Sequence, residues 1–203
     1  MIEVFDPGDF YDARVTSYGL SASTVGWKDF AQQELRFDIL TSDIDLNGKK
    51  VVDIGCGFGD LANYLVSKGI NVEEYIGVEV SKKMLEIAKK NTLTKLNAKY
   101  MNANIFKDPM NITVDFALMS GLLNLRQSTN SATEILQSFL LKIRPIVTQG
   151  LVFNLLTDEV DFEQPHHLHY NPSTAQLIVR DFFKDVSIKK DYGLYEFTVK
   201  AIV

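Results

Sequence analysis

The chain has 203 residues, 46% of them hydrophobic and 23% charged, a profile of one folded domain that can bury a core without disulfide staples. Its net charge of −5 comes without any basic stripe, which argues against nucleic acid as a partner. A lone cysteine, Cys56, excludes an internal disulfide and a multi-cysteine zinc site. The acidic start MIEVFDPGDF is no secretory signal, and the apolar runs 117–125 and 150–156 are shorter than the ~18 residues of a membrane helix. A cytoplasmic protein with no membrane partner is expected.

Short apolar runs alternate with amphipathic stretches, which implies strand–helix crossovers and a parallel sheet. A first helix is expected from about Thr24 to Thr41, with Trp27, Phe30, Ala31, Leu35 and Ile39 on its core face. The run KVVDI is a buried strand, followed by a helix that Gly69 ends. Residues 73–80 form a second strand, and Ser81 caps the next helix. Further strands are expected at 98–103, 114–119 and 151–155. Ser131 and Glu134 form a capping box for a helix that Pro145 stops. Asn171-Pro172 opens the last helix, and two strands around Asp191-Tyr192-Gly193 close the chain as an antiparallel pair. The expected fold class is α/β: a three-layer Rossmann-like arrangement whose seven-stranded, mostly parallel sheet has an antiparallel last strand. Residues 1–45 read as an N-terminal segment and helix, and 46–203 as the main domain.

The sharpest feature is VVDIGCGFGD, with Gly55, Gly57 and Gly59 between a buried strand and a helix. Glycine lets such a loop turn tightly and lets a ligand lie against the main chain at the sheet edge where open α/β folds bind cofactors. The spacing is G-x-G-x-G. A dinucleotide site needs G-x-G-x-x-G, a P-loop needs a following Lys-Ser or Lys-Thr, and Asp60 is a poor neighbour for phosphate. Glu79, ending the second strand, can accept both hydroxyls of a ribose lying along the loop.

These segments, with NANIF and DFALMSGLLN, resemble the motifs of class I S-adenosylmethionine-dependent methyltransferases. Tyr11-Asp12-Ala13-Arg14, Gly26-Trp27 and Leu194-Tyr195-Glu196-Phe197 further resemble a group of small bacterial and phage methyltransferases. The resemblance implies S-adenosylmethionine as cofactor and S-adenosylhomocysteine as product. It implies that Asp53 orients the methionine end and that Gly55, Cys56 and Gly57 line the cofactor. Glu79 would hold the ribose hydroxyls, and Val80 and Ile105 would wall the adenine. Asn104 stands where many relatives have an aspartate on the adenine amine, and its amide can still accept a hydrogen bond. Ser120 and Gly121 would lie beneath the sulfonium.

Methyl transfer is an in-line displacement whose reactive group belongs to the cofactor, so no catalytic triad is expected. The segment Ser120-Gly121-Leu122-Leu123 lacks the N/D-P-P-Y-like pattern of enzymes that methylate exocyclic amines, and Cys56 is misplaced for cytosine ring methylation. A small-molecule acceptor is therefore expected, with a non-catalytic S-adenosylmethionine-binding protein or partner subunit as the alternative. Phe10, Tyr11, Arg14, Tyr18 and Trp27 belong either to a lid, with Arg14 on the methionine carboxylate, or to the docking of the first helix on the sheet. All three histidines lie in DFEQPHHLHY. His166, His167 and His169 are candidate general bases or substrate contacts, with a polar loop or a metal site with Asp161 or Glu163 as the other readings. Helical ligand spacing is missing and methyl transfer needs no metal, so none is expected.

Overall fold

The computed structural model describes residues 6–21, 24, 29–126, 129–162 and 166–203. Trp27 and Glu163 lie outside them. The chain forms two compact units, one up to Asn104 and the other from Ile105 to Val203.

The first unit opens with α1 (Pro7–Tyr18), a helix over what the sequence marks only as a possible lid. Its apolar residues follow no clear stripe, yet its ends are well specified. The Asp6 carboxylate accepts from the Gly8 and Asp9 amides, Pro7 sits in the first turn, and Gly19 at φ 61° ends it. The next helix, α2 (Phe30–Thr41), starts later than expected, because Asp29 is the cap and accepts from Gln32 N at 2.9 Å. Its core face also differs: Gln33, Arg36, Phe37, Leu40 and Thr41 are buried, while Phe30 is 64% exposed. Polar members of that stripe are tolerated because they find partners, as Gln33 does by donating to Asp60 at 2.9 Å.

Strand β1 (Lys50–Ile54), helix α3 (Asp60–Ser67), strand β2 (Glu74–Glu79), helix α4 (Lys82–Asn91) and strand β3 (Ala98–Asn102) complete this unit. The strands pair in parallel in the order β3-β2-β1, with Ile54 opposite Val78 and Glu79 opposite Asn102. Parallel register brings the C-terminal ends of β1 and β2 to one edge, and with them the glycine loop and Glu79.

The second unit holds β4 (Val114–Met119), α5 (Ala132–Ile143), β5 (Val147–Leu156), α6 (Pro172–Arg180), β6 (Asp185–Lys189) and β7 (Glu196–Ile202). Its strand order is β4-β5-β7-β6. Strand β7 runs antiparallel to both neighbours, so β6 is parallel to β5 and only β7 is reversed in this unit. With β1–β3 these make seven strands of a mostly parallel sheet, as expected. The Ser131–Glu134 capping box and the Asn171 cap with Pro172 are both present. The alternation in β7 does not separate a wet face from a dry one, since Glu196 and Thr198 are as buried as Phe197 and Val199.

Gly77, in the middle of β2, has no room for a side chain. A Cβ there would lie 2.6 Å from two ring carbons of Tyr100 and 2.8 Å from Cys56 Sγ. Gly77→Ala should therefore destabilise the protein by about 1–3 kcal/mol, the usual cost of overpacking a core. Chemical denaturation of the two proteins measures it, and an unchanged midpoint would show that Tyr100 yields freely.

Candidate active site

Gly55, Gly57 and Gly59 have φ of 79°, 53° and 80°, the left-handed region that other residues enter only at a cost. The loop they form is tied to β2. Gly55 N and Cys56 N both donate to Val78 O, at 2.8 and 3.1 Å. Gly57 N donates to Glu79 Oε2 at 3.1 Å, and Ser81 N donates to Glu79 Oε1 at 2.9 Å. One buried carboxylate thus braces the glycine loop against the β2–α4 turn. Burial raises the Glu79 pKa, with backbone donors at Ser81, Gly57 and Val80 opposing the rise and the charge of Asp12 adding to it. With about four acceptor sites and three backbone donors, the carboxylate can still accept from a ligand hydroxyl.

Beneath the loop, the Tyr75 hydroxyl donates to Asp53 Oδ2 at 2.6 Å, and both residues are buried. Burial pushes the Asp53 carboxyl up to about 7, against the pull of the Tyr75 hydrogen bond and with help from the charges of Glu79 and Asp60. Burial also pushes the Cys56 thiol well above its ordinary value, which makes it an inert packing group of the loop. Tyr100 packs edge-on against Tyr75, and its hydroxyl pairs with Thr92.

Helix α1 docks on the same turn. Asp12 Oδ1 accepts from the Ser81 hydroxyl and, at 3.3 Å, from Lys83 N, while Lys83 Nζ donates to Thr16 at 2.7 Å. Burial raises the Tyr11 phenol, and the nearby Glu79 charge raises it further. Arg14 Nε donates to Thr24 O at 2.8 Å, and the guanidinium stacks on Phe10 and Tyr18 at 5.6 and 5.4 Å. Val80 and Asn104 are half-buried at the strand ends. Asn102, which the sequence reading passed over, donates to Glu79 O at 2.9 Å and Val80 O at 2.8 Å, pinning the strand end that presents Glu79.

In the second unit Ile105 is buried, and Ser120-Gly121 follows β4 directly. Gly121 has φ 77° and donates to Asn154 Oδ1 at 2.8 Å, while Ser120 Oγ is buried with no hydrogen-bond partner among the described residues. The histidine segment is extended: Leu168 and Tyr170 are buried, while His167 and His169 alternate with them, half-buried, and His166 is exposed. Its backbone is held by bridges from His167 to Leu125 and from Tyr170 to Thr157. Burial lowers the His167 pKa, and the charges of His169 and His166 lower it further. Among the described residues no three His, Cys, Asp or Glu side chains are grouped to hold a metal, and no helix is long and apolar enough to cross a membrane.

Residues 51–145 match the methyltransferase domain family. A protein of Mycobacterium tuberculosis, Rv1506c, whose name calls it a methyltransferase, is 30% identical over 72% of this chain and 89% of its own length. The chain belongs to the S-adenosylmethionine-dependent methyltransferases. The ubiquinone biosynthesis O-methyltransferase of Ralstonia nicotianae is 43% identical, over 27% of this chain and 21% of that enzyme. Solved folds are similar as well. Magnesium protoporphyrin IX methyltransferase from Synechocystis, bound to S-adenosylhomocysteine, has a TM-score of 0.68 at 17% identity, covering 96% of this chain and 97% of its own. The N-methyltransferase NodS from Bradyrhizobium japonicum, with the same ligand, has a TM-score of 0.65 at 12% identity, covering 85% and 86%.

S-adenosylmethionine is the methyl donor of this methyltransferase. The first unit suits such a ligand, since three left-handed glycines leave the loop backbone without Cβ atoms, and a buried acceptor carboxylate stands beside them. Asp53, Gly55, Cys56, Gly57, Glu79, Val80, Asn104, Tyr11 and Arg14 all lie in that unit. Ile105, Ser120, Gly121 and the histidines belong to the other.

The raised Asp53 pKa gives a prediction with a definite sign. A carboxyl whose folded pKa lies above its unfolded value favours folding at low pH, and that contribution is lost as pH rises through the folded value. Relative to Asp53→Asn, the wild-type melting temperature should therefore fall as pH rises from about 4 to about 7 and level off above. Glu79 and Asp60 titrate in both proteins, so the difference isolates Asp53. A difference independent of pH would mean that burial does not raise the Asp53 pKa.

Proposed function

We propose that this methyltransferase acts on a small-molecule acceptor and that a histidine of the 166–169 segment removes the acceptor's proton. The observation that carries the proposal is the half-buried His167, whose lowered pKa keeps its imidazole neutral and ready to accept a proton near pH 7. A net charge of −5 and the absence of an N/D-P-P-Y-like segment after β4 weigh against a nucleic-acid acceptor. The similar proteins named for protoporphyrin and ubiquinone chemistry support the same acceptor class.

In this reading Asp53 orients the methionine end of the donor, and Gly55, Cys56 and Gly57 line it with backbone. Glu79 holds the ribose hydroxyls, Val80 and Ile105 contact the adenine, and Asn104 contacts its amine. Ser120 and Gly121 serve the sulfonium end. Residues 1–45 carry the lid, with Tyr11 and Arg14 on the donor, and 46–203 form the methyltransferase domain. The bound donor supplies an electrophilic methyl group, and the protein's task is to hold the acceptor in line and dry. An acceptor hydroxyl or amine gives its proton to the imidazole.

Glu79→Ala should weaken S-adenosylhomocysteine binding by roughly 1–3 kcal/mol, the cost of unmet hydrogen-bonding partners. Calorimetry measures it, and wild-type affinity in the variant would remove Glu79 from the site.

The acceptor is found by incubating metabolite extracts with isotopically labelled donor. Turnover should then rise with pH through the lowered His167 pKa, because only the neutral imidazole accepts the proton. Alanine at the responsible histidine should lower turnover about 10²–10⁴-fold with donor affinity unchanged. Three alanine variants that all turn over at wild-type rates would make the segment scaffolding.

A further inference from the structure

We infer that Asn154 and Glu196 are positioning residues that fix the orientation of the Ser120–Gly121 peptide. The inference rests on the reading that this peptide serves the donor. Both side chains sit inside the sheet: Asn154 in the apolar run LVFNLL of β5 and Glu196 at the start of β7. They are 1% and 3% exposed, and Thr198, directly across from Asn154, is 4% exposed. Burying an amide and a carboxylate in a sheet core is costly unless both are hydrogen-bonded, and apolar residues of like size pack such strands at less cost.

The hydrogen bonds form a directed chain. The Gly121 amide donates to Asn154 Oδ1 at 2.8 Å, and Asn154 Nδ2 donates to Glu196 Oε1 at 2.9 Å. The Tyr192 hydroxyl reaches Glu196 Oε1 at 3.3 Å and Thr198 Oγ1 at 3.0 Å. A carboxylate accepts, so Asn154 must face Glu196 with its NH2 group, and its carbonyl oxygen is left for Gly121. Glu196 thereby decides which way the amide lies, and the amide holds Gly121 in the left-handed conformation, φ 77°, that turns the chain after β4. Neither Asn154 nor Glu196 is assigned a contact with a reacting atom. They act through the main chain of Gly121.

An exchange of the two side-chain chemistries tests the inference. N154D places a carboxylate against Glu196 and should weaken S-adenosylhomocysteine binding by at least about tenfold, in the range for a disrupted buried network. It should also speed hydrogen exchange at the Gly121 amide, a readout that general loss of stability moves only together with neighbouring core amides. The double variant N154D/E196Q restores complementarity. The glutamine amide donates to the aspartate carboxylate, which still accepts from Gly121, so affinity and Gly121 protection should both return. If N154D does not fold, E196Q carries the comparison: it lets the Asn154 amide turn over, and should speed Gly121 exchange relative to the double variant. Unchanged affinity and exchange in the single variants, or a folded double variant without recovery, overturns the inference. A wild-type protein that binds no S-adenosylhomocysteine overturns the donor-site reading and this inference with it.

Discussion

The first unit of this methyltransferase depends on a loop that cannot hold its own shape. Gly55, Gly57 and Gly59 all occupy left-handed backbone conformations, which glycine reaches without steric penalty but also leaves easily. The shape is imposed by β2, through Val78 O and the Glu79 carboxylate. Because the Glu79 carboxylate also accepts from Ser81 N, it sets the β2–α4 turn at the same time. Asp53, Asp60 and Glu79 are all pushed upward by burial, so the loop is ringed by carboxyls that are costly to ionise. Such a site favours a ligand that brings positive charge and hydroxyl donors. It disfavours one that brings phosphate, so electrostatics agrees with the glycine spacing.

Ser81 shows how one small residue joins three elements. Its hydroxyl accepts from Met84 N as the cap of α4 and donates to Asp12 on α1. Its own amide is held by Glu79. Helix α1 is therefore anchored at the turn that also fixes the Glu79 carboxylate, and Gly8 lies where a Cβ would meet Val80 O at 3.2 Å. The seat of α1 and the Glu79 brace share one turn.

What the sequence shows and what it hides divide along a physical line. The buried strands and the capped helices α4, α5 and α6 are legible, because short apolar runs and a cap residue act over a few positions. The glycine loop is legible because only glycine suits it. Three features are not legible for the opposite reason, since their partners lie far along the chain. Helix α1 has no apolar stripe and is held by Ser81 and Lys83, about 70 residues away. The core face of α2 includes Gln33, which only Asp60 makes tolerable. Glu196 looks like the wet member of an alternating strand until Asn154, 42 positions earlier, is seen to bond it. A polar residue inside an apolar run was the available signal for Asn154.

The same division explains why the acceptor is hidden. The histidine segment is placed by main-chain bonds: Leu168 N donates to Asn124 O, Arg126 N to His166 O and Tyr170 N to Leu156 O. Two side chains reinforce the frame, Asn124 by accepting from Leu156 N and Tyr170 by donating to Leu123 O. Main-chain bonds of this kind are open to many residue types, so they leave no motif in the sequence at these positions. A scaffold built in this way separates donor chemistry, which needs fixed glycines and carboxyls, from acceptor chemistry, which needs only a held surface. Motifs accumulate where the backbone forces a residue type, as it does at Gly55, Gly57 and Gly59.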